Sequence, residues 1–204
     1  MVSSARRILG TASVGCALGA AVSLGCSASV AGAALISLTP CSSAAVSQPF
    51  APWGDDASYE LAPGGDFENS DFTSSPWTLS GGASRVAGSE TFAATGTFGA
   101  DSLSLPAGSS GQSPQTCVDA ANPTLRFFVT GSGTAAVSVV YGALVIPTGV
   151  VIATGKWTPS PVMLTASLLP GLLSGGTAQV SIRLTGLTGS PRVDDVFIDP
   201  WRRG

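Results

Sequence analysis

From residue 41 onward the chain alternates apolar and polar residues in short runs, and clusters of Gly, Pro, Ser or Asn end nearly every run. In residues 123–130, Leu125, Phe127 and Val129 share one face of an extended chain, while Arg126, Phe128 and Thr130 share the other. In residues 179–185, Val180, Ile182 and Leu184 oppose Ser181, Arg183 and Thr185, and in residues 101–105, Leu103 and Leu105 oppose Ser102 and Ser104. Residues 135–141, 143–153 and 162–169 are more continuously apolar, as in strands covered on both faces or shielded by loops. From residue 41 onward no window joins good helix formers to a three-to-four repeat. Strands with one apolar face bury it by packing sheet on sheet or by closing a barrel, so the expected fold is all-β, a two-sheet antiparallel β-sandwich. Residues 82–97 and 108–114, rich in Gly, Ser and Ala, read as surface loops. No repeat typical of propellers or solenoids interrupts this pattern.

The first forty residues have a different character. Arg6 and Arg7 precede an uncharged stretch from Ile8 to Pro40, and Ala31-Gly32-Ala33 has the small-x-small form of a signal-peptidase site. This predicts a signal peptide over residues 1–33 and a single mature domain over 34–204, secreted or held at the cell surface. An uncleaved anchor is the alternative, and the chain meets a membrane only through it. Of four cysteines, Cys16 and Cys26 fall in the leader, so Cys41 and Cys117 remain to pair in an oxidising compartment.

Composition removes whole classes of function. The chain has no His, which excludes imidazole as base, shuttle or metal ligand. Its nine Lys and Arg against twelve Asp and Glu give a net charge of -3, with no cationic run to follow a phosphate backbone, so nucleic acid is excluded as a partner. Asp55-Asp56 and Asp194-Asp195 are the adjacent carboxylates, and neighbours on a strand point to opposite faces rather than across a hydrolytic cleft. Neither a Gly-x-Ser-x-Gly elbow nor a phosphate-binding Gly loop occurs. A non-catalytic protein is expected.

Gly64-Gly65-Asp66-Phe67-Glu68, Trp77-Thr78-Leu79, Ser102-Leu103-Ser104-Leu105, Leu125-Arg126-Phe127-Phe128 and Val193-Asp194-Asp195-Val196-Phe197-Ile198 carry a resemblance. Together they resemble jelly-roll carbohydrate-binding modules and related galactose-binding-like domains, whose pattern opens with a "G-D-F-E … W" strand and closes with a "D-D-V" strand. The stretch from Cys41 to the Trp201-Arg202-Arg203 tail is also similar to a group of secreted actinobacterial proteins. The resemblance implies a jelly-roll sandwich that binds polysaccharide or other glycan in the cell envelope. A structural or adhesive role, with an envelope protein as partner, is the other reading.

Aromatic rings grip sugars by covering the C–H face of a pyranose, with polar neighbours taking the hydroxyls. Trp77 and Trp157 sit among strand residues and read as core. Trp53, Tyr59 and Trp201 stand in polar company near the domain ends and read as exposed, which makes Trp53 and Trp201 ligand-binding candidates. A second candidate is the polar face that Arg126, Phe128 and Arg183 form if their strands are neighbours, suited to a polyol or an acidic glycan. On residues 192–199 each aspartate shares its face with apolar residues, so at least one carboxylate is expected to be buried. A calcium ion held by Glu68 with Asp194 or Asp195 would compensate it, as the resemblance also implies, and so would backbone N–H groups.

Overall fold

The computed structural model describes residue 41 and residues 45–119, 124–165 and 177–199. The leader, with Cys16 and Cys26, and the tail, with Trp201, lie outside the described residues. In chain order the strands are β1 (Glu60–Leu61), β2 (Thr78–Ser80), β3 (Ser84–Ala87), β4 (Asp101–Ser104), β5 (Ser110–Gln112), β6 (Thr116–Asp119), β7 (Thr124–Tyr141), β8 (Leu144–Thr154), β9 (Thr158–Pro159), β10 (Met163–Leu164) and β11 (Thr177–Asp199). A short helix, α1 (Asn69–Ser74), and a 3-10 turn at Ala51–Trp53 complete the elements among the described residues.

β7 and β11 organise everything else. They pair antiparallel from Ser181 with Val140 to Asp199 with Thr124. Gly131 and Gly133 interrupt the apolar pattern of β7 at φ 86° and 96°, where side chains are strained. A Cβ on Gly133 would lie 1.9 Å from the Thr188 carbonyl oxygen, so the ribbon can bend there only without one. The bend brings its two halves face to face. Leu103 of β4, whose strand partner is Val193, lies against Gly111 of β5, whose partner is Leu184. Met163 of β10 likewise lies against Gly149 of β8.

The first sheet holds β3, β4, the 192–199 half of β11 and the 124–130 half of β7, with β1, β9 and β10 at its margins. The second holds β2, β5, β6, the 177–186 half of β11, the 132–141 half of β7, and β8. Leu103, Phe127, Val137, Ile182, Leu184 and Val193 fill the space between them without solvent exposure. Each such side chain contributes about 2 kcal/mol through removal from water. The architecture is an all-β antiparallel sandwich.

Register explains a departure from simple alternation. β11 carries irregularities between Gly186 and Thr188 and between Asp194 and Phe197, and each extra residue moves the following side chains to the other face. The core takes Ala178, Val180, Ile182 and Leu184, then Val193, then Val196 and Ile198. Asp195 sits in the second bulge at φ 48°, a conformation Asp tolerates better than most residues. The faces expected for residues 192–199 are therefore regrouped, and Phe197 packs with Phe128 on the outer side.

Other expectations change for similar local reasons. Among the described residues β8 pairs only with β7 and lies at the sheet edge, with Val150 and Ile152 55% and 69% exposed, rather than as a strand covered on both faces. The stretches expected as loops contain β3 and β5, short strands of small polar residues whose partners β4 and β11 supply the hydrogen-bonding template.

Candidate functional site

The segment from Ala45 to Tyr59 forms an arm laid across the outer side of the first sheet. The disulfide Cys41–Cys117 ties its start to β6, and Ser47 and Tyr59 exchange backbone hydrogen bonds. Phe50 is fully buried in this arrangement. Its ring stacks on Phe128 at 5.2 Å, meets Tyr59 and Phe197 edge-on at 5.0 and 5.7 Å, and lies 4.4 Å from the Arg126 guanidinium carbon. Arg126 donates through Nη1 to Asp55 at 2.5 Å and through Nε and Nη2 to the Ser160 carbonyl. Tyr59 donates its hydroxyl to the same Asp55 oxygen at 2.8 Å. Burial works to raise the Asp55 pKa, but the hydrogen bonds from Arg126, Tyr59 and the Ala57 N–H outweigh it and hold the carboxyl below its ordinary value. Burial, followed by the Asp55 hydrogen bond, pushes the Tyr59 hydroxyl well above its ordinary value.

This arm corrects the expected binding platform. Phe128 has no exposed surface and Arg126 is 8% exposed, because a distant segment supplies both the ring and the carboxylate that close their face. Tyr59, expected near the surface, is part of the same buried cluster. Arg183 lies on the second sheet instead. It is half-buried on the outer side, its Nε and Nη2 donating to Gln112 Oε1 at 3.0 and 2.7 Å.

Beside the arm lies the loop of residues 88–98, held from below by buried carboxylates. Ser89 Oγ and the Glu90 N–H donate to Asp194 Oδ2 at 2.6 and 2.8 Å, and the Asp195 N–H donates to Asp194 Oδ1 at 3.0 Å. Glu90 in turn accepts from the N–H groups of Phe92 and Ala94, which curls the loop around its carboxylate. Glu68 Oε1 accepts from the N–H groups of Ala100 and Asp101 at 2.6 and 2.9 Å and fixes the far end. Burial raises Asp194 to about 7 against the hydrogen bonds it accepts. Asp195 rises to about 9, through burial first and then the charges of Asp194, Glu90 and Asp66.

Calcium requires six to eight hard oxygens around one point. Among the described residues no group of three or more His, Cys, Asp or Glu side chains is placed to hold a metal ion. Asp194 turns both oxygens to N–H and O–H donors, and Glu68 turns one to the N–H groups of Ala100 and Asp101, at the start of β4. The residues present do not fit a calcium site built from Glu68, Asp194 and Asp195. Backbone hydrogen bonds join the opening and closing motifs directly: Ala62 N–H donates to Val196 and Val196 N–H to Gly65. A Cβ on Gly65 would lie 2.8 Å from the Val196 carbonyl oxygen, which is why the opening motif carries glycine there.

Arm and loop together leave a groove at the surface, with adjoining cavities of about 300 and 210 Å³ that share Ser47 and Thr95. Pro49, Pro52 and Phe92 supply apolar wall, and Ser47, Gln48 and Thr95 supply polar groups. Trp53 stands at the side, 37% exposed, with its ring edge-on to Phe92 at 4.7 Å. Both rings rest on Phe128, each at 5.4 Å, so the buried Phe128 is the floor that positions two half-open aromatics. Phe98, at the end of the loop, is 75% exposed.

Of the sequence candidates, Trp53 packs against the groove residue Phe92, Phe128 lies buried under both rings, Arg126 is buried against Phe50 and Asp55, and Arg183 lies elsewhere. Trp77 is core, with its indole N–H donating to the Pro63 carbonyl at 3.0 Å, and Trp157 packs at the margin of the outer aromatic cluster. Trp201 lies outside the described residues. Phe92 and Phe98 were not singled out from the sequence. The available signal is two aromatic rings placed in a Thr-, Ala- and Gly-rich stretch that has no strand parity to bury them.

No protein-family model matches the chain, and no curated protein matches it. Solved structures do. The C-terminal family 6 carbohydrate-binding module of a laminarinase from Zobellia galactanivorans is 11% identical over 60% of this chain and 90% of that one, with a TM-score of 0.43. A family 29 carbohydrate-binding module variant complexed with mannohexaose is 9% identical over 69% and 88%, with a TM-score of 0.44. The enzymatically active domain of a tailspike protein from bacteriophage CBA120 is 15% identical over 66% of this chain and 20% of that one, with a TM-score of 0.41. A likeness at this level fixes no ligand.

Proposed function

We propose that the protein is a secreted, non-catalytic binding module whose ligand is a carbohydrate of the cell envelope or its surroundings, taken up at the groove between arm and loop. The observation that supports this reading is the pair Trp53 and Phe92, half-exposed, mutually perpendicular and seated on buried Phe128, with Phe92 lining the groove beside Ser47, Gln48 and Thr95. Ring faces over C–H surface with hydroxyl and amide groups alongside is the combination that a pyranose needs. The disulfide and the uncharged leader support secretion. Affinity electrophoresis and tryptophan-emission titration of the mature domain against a panel of neutral polysaccharides test the reading. Trp53→Ala and Phe92→Ala are expected to weaken binding by roughly ten-fold or more each, the scale of a lost aromatic contact, while thermal midpoints stay near wild type. Failure to bind any member of the panel overturns it.

A second reading, adhesion to another protein, rests on β8, whose outer edge has no strand partner among the described residues and which exposes Leu144, Val145, Val150 and Ile152. Light scattering across a concentration series separates it: growth in mass that Ile152→Lys abolishes favours protein association.

A further inference from the structure

Across the middle of the second sheet, Thr78 on β2, Gln112 on β5, Arg183 on β11 and Ser138 on β7 stand in one register row. Ser80, Ser110, Thr185 and Ala136 form the next row on the same side. Their strand neighbours Leu79, Gly111, Leu184 and Val137 face the core, so both rows look outward. Arg183 is the cation of this face. Gln112 takes two of its five N–H donors through a neutral oxygen, and among the described residues Arg183 makes no ion pair. The outward residues of these two rows include no carboxylate.

A guanidinium fixed by a neutral partner keeps its charge uncompensated while losing freedom of orientation, which prepares it for a carboxylate. Hydroxyls on both sides donate and accept, matching a partner that is itself rich in hydroxyls. An acidic peptide fits less well, since peptides add to the edges of sheets, whereas Arg183 lies on β11 between β5 and β7. We propose that this face is a second binding site, separate from the groove, for a carboxylated polysaccharide in which a uronate carboxylate meets Arg183 and sugar hydroxyls meet the neighbouring Ser and Thr residues.

Affinity electrophoresis in gels containing polygalacturonate, with neutral dextran and poly-glutamate gels alongside, tests it on the intact protein. Wild type is expected to be retarded by polygalacturonate and released by salt. Arg183→Gln, which keeps length and polarity at a half-exposed site, is expected to lose on the order of ten-fold in affinity, as removal of a hydrogen bond to a charged group does. Arg183→Lys keeps the charge without the fork and is expected to fall between the two. Trp53→Ala is expected to keep the retardation, which distinguishes this face from the groove. Equal retardation of wild type and Arg183→Gln, or none for wild type, overturns the proposal. So does loss in Trp53→Ala alone, and so does equal, Arg183-dependent retardation by poly-glutamate, which would make the partner an acidic polypeptide.

Discussion

The two halves of the β7–β11 ribbon are built from the same kind of sequence and end in different surroundings. In residues 124–130 of β7, all but Thr124 are buried, because the core covers one side and the arm the other. In residues 134–140, burial alternates strictly: Ala135, Val137 and Val139 are buried, while Thr134, Ala136, Ser138 and Val140 are half-open. The outward residues teach the difference. Arg126 and Phe128 need partners that only a remote segment supplies, whereas Ser138 and Thr134 are small and satisfied by solvent or a neighbour, as in the Thr134–Thr188 hydroxyl contact at 2.9 Å. A large outward side chain on a strand therefore marks a covered face as readily as a binding face.

The largest way to break this contrast is to release the arm. Cys41 and Cys117 are 76 residues apart, and the chain-entropy model assigns such a closure about 4 kcal/mol. Cys41→Ser with Cys117→Ser is expected to approach that loss in urea unfolding, and to open the groove by loosening one of its walls. Phe128→Ala is expected to cost about 3 kcal/mol or more, because a fully buried ring is removed from between Phe50, Trp53 and Phe92. A loss under about 1 kcal/mol at Phe128 would mean that the arm does not cover this face, and the contrast between the halves would fail.

Much of the fold was legible in the sequence. The alternation in 123–130 and 179–185 gave the sheets, and the cysteine pair gave the tether. Parity could not give the arm, because no local pattern says that Phe50 and Asp55 will meet Phe128 and Arg126 about seventy residues later. Nor could it give the face change at Asp195, which depends on a bulge that one extra residue creates. β3 and β5 were hidden because Ser, Gly and Gln carry little strand preference of their own and pair only on an existing template. The partial exposure of Trp53 was legible, as a ring in polar company. Phe92 was not, since its place depends on a loop wound around Glu90 and anchored on Asp194.

That anchoring predicts opposite responses to pH in two parts of the first sheet. Asp194 and Asp195 have pKa values raised above the unfolded 3.8, so the native state holds more protons there. Their contribution is complete below about pH 4 and is lost as pH rises through roughly 7 to 9. Asp55 is lowered, so its contribution is present above the unfolded value and disappears as pH falls below it. The thermal midpoint is expected to decline from about pH 6 to pH 9 in wild type and to decline less in Asp195→Asn, a residue that also accepts positive φ. Trp53 emission should change on the acid side as the Asp55–Arg126 contact loosens. A midpoint independent of pH over the alkaline window would show that Asp194 and Asp195 are not buried in the way their contacts imply.

The smallest expected effect sharpens the comparison most cleanly, because it uses one residue type on one sheet. Ile182 of β11 faces the core with no exposure, and Ile152 of β8 faces outward with 69% exposure. Both strands pair with the same half of β7, Ile182 with Val139 and Ile152 with Thr134. Ile182→Ala removes buried methylene groups and leaves a cavity, so unfolding should show a loss of about 3 kcal/mol. Ile152→Ala removes the same atoms from solvent, and the change should stay within about 0.5 kcal/mol. The difference between the two measures how open the outer side of the second sheet is in solution. If Ile152→Ala costs as much as about 2 kcal/mol at low protein concentration, some part of the chain covers that side, and the row around Arg183 is then a packed surface rather than a binding face.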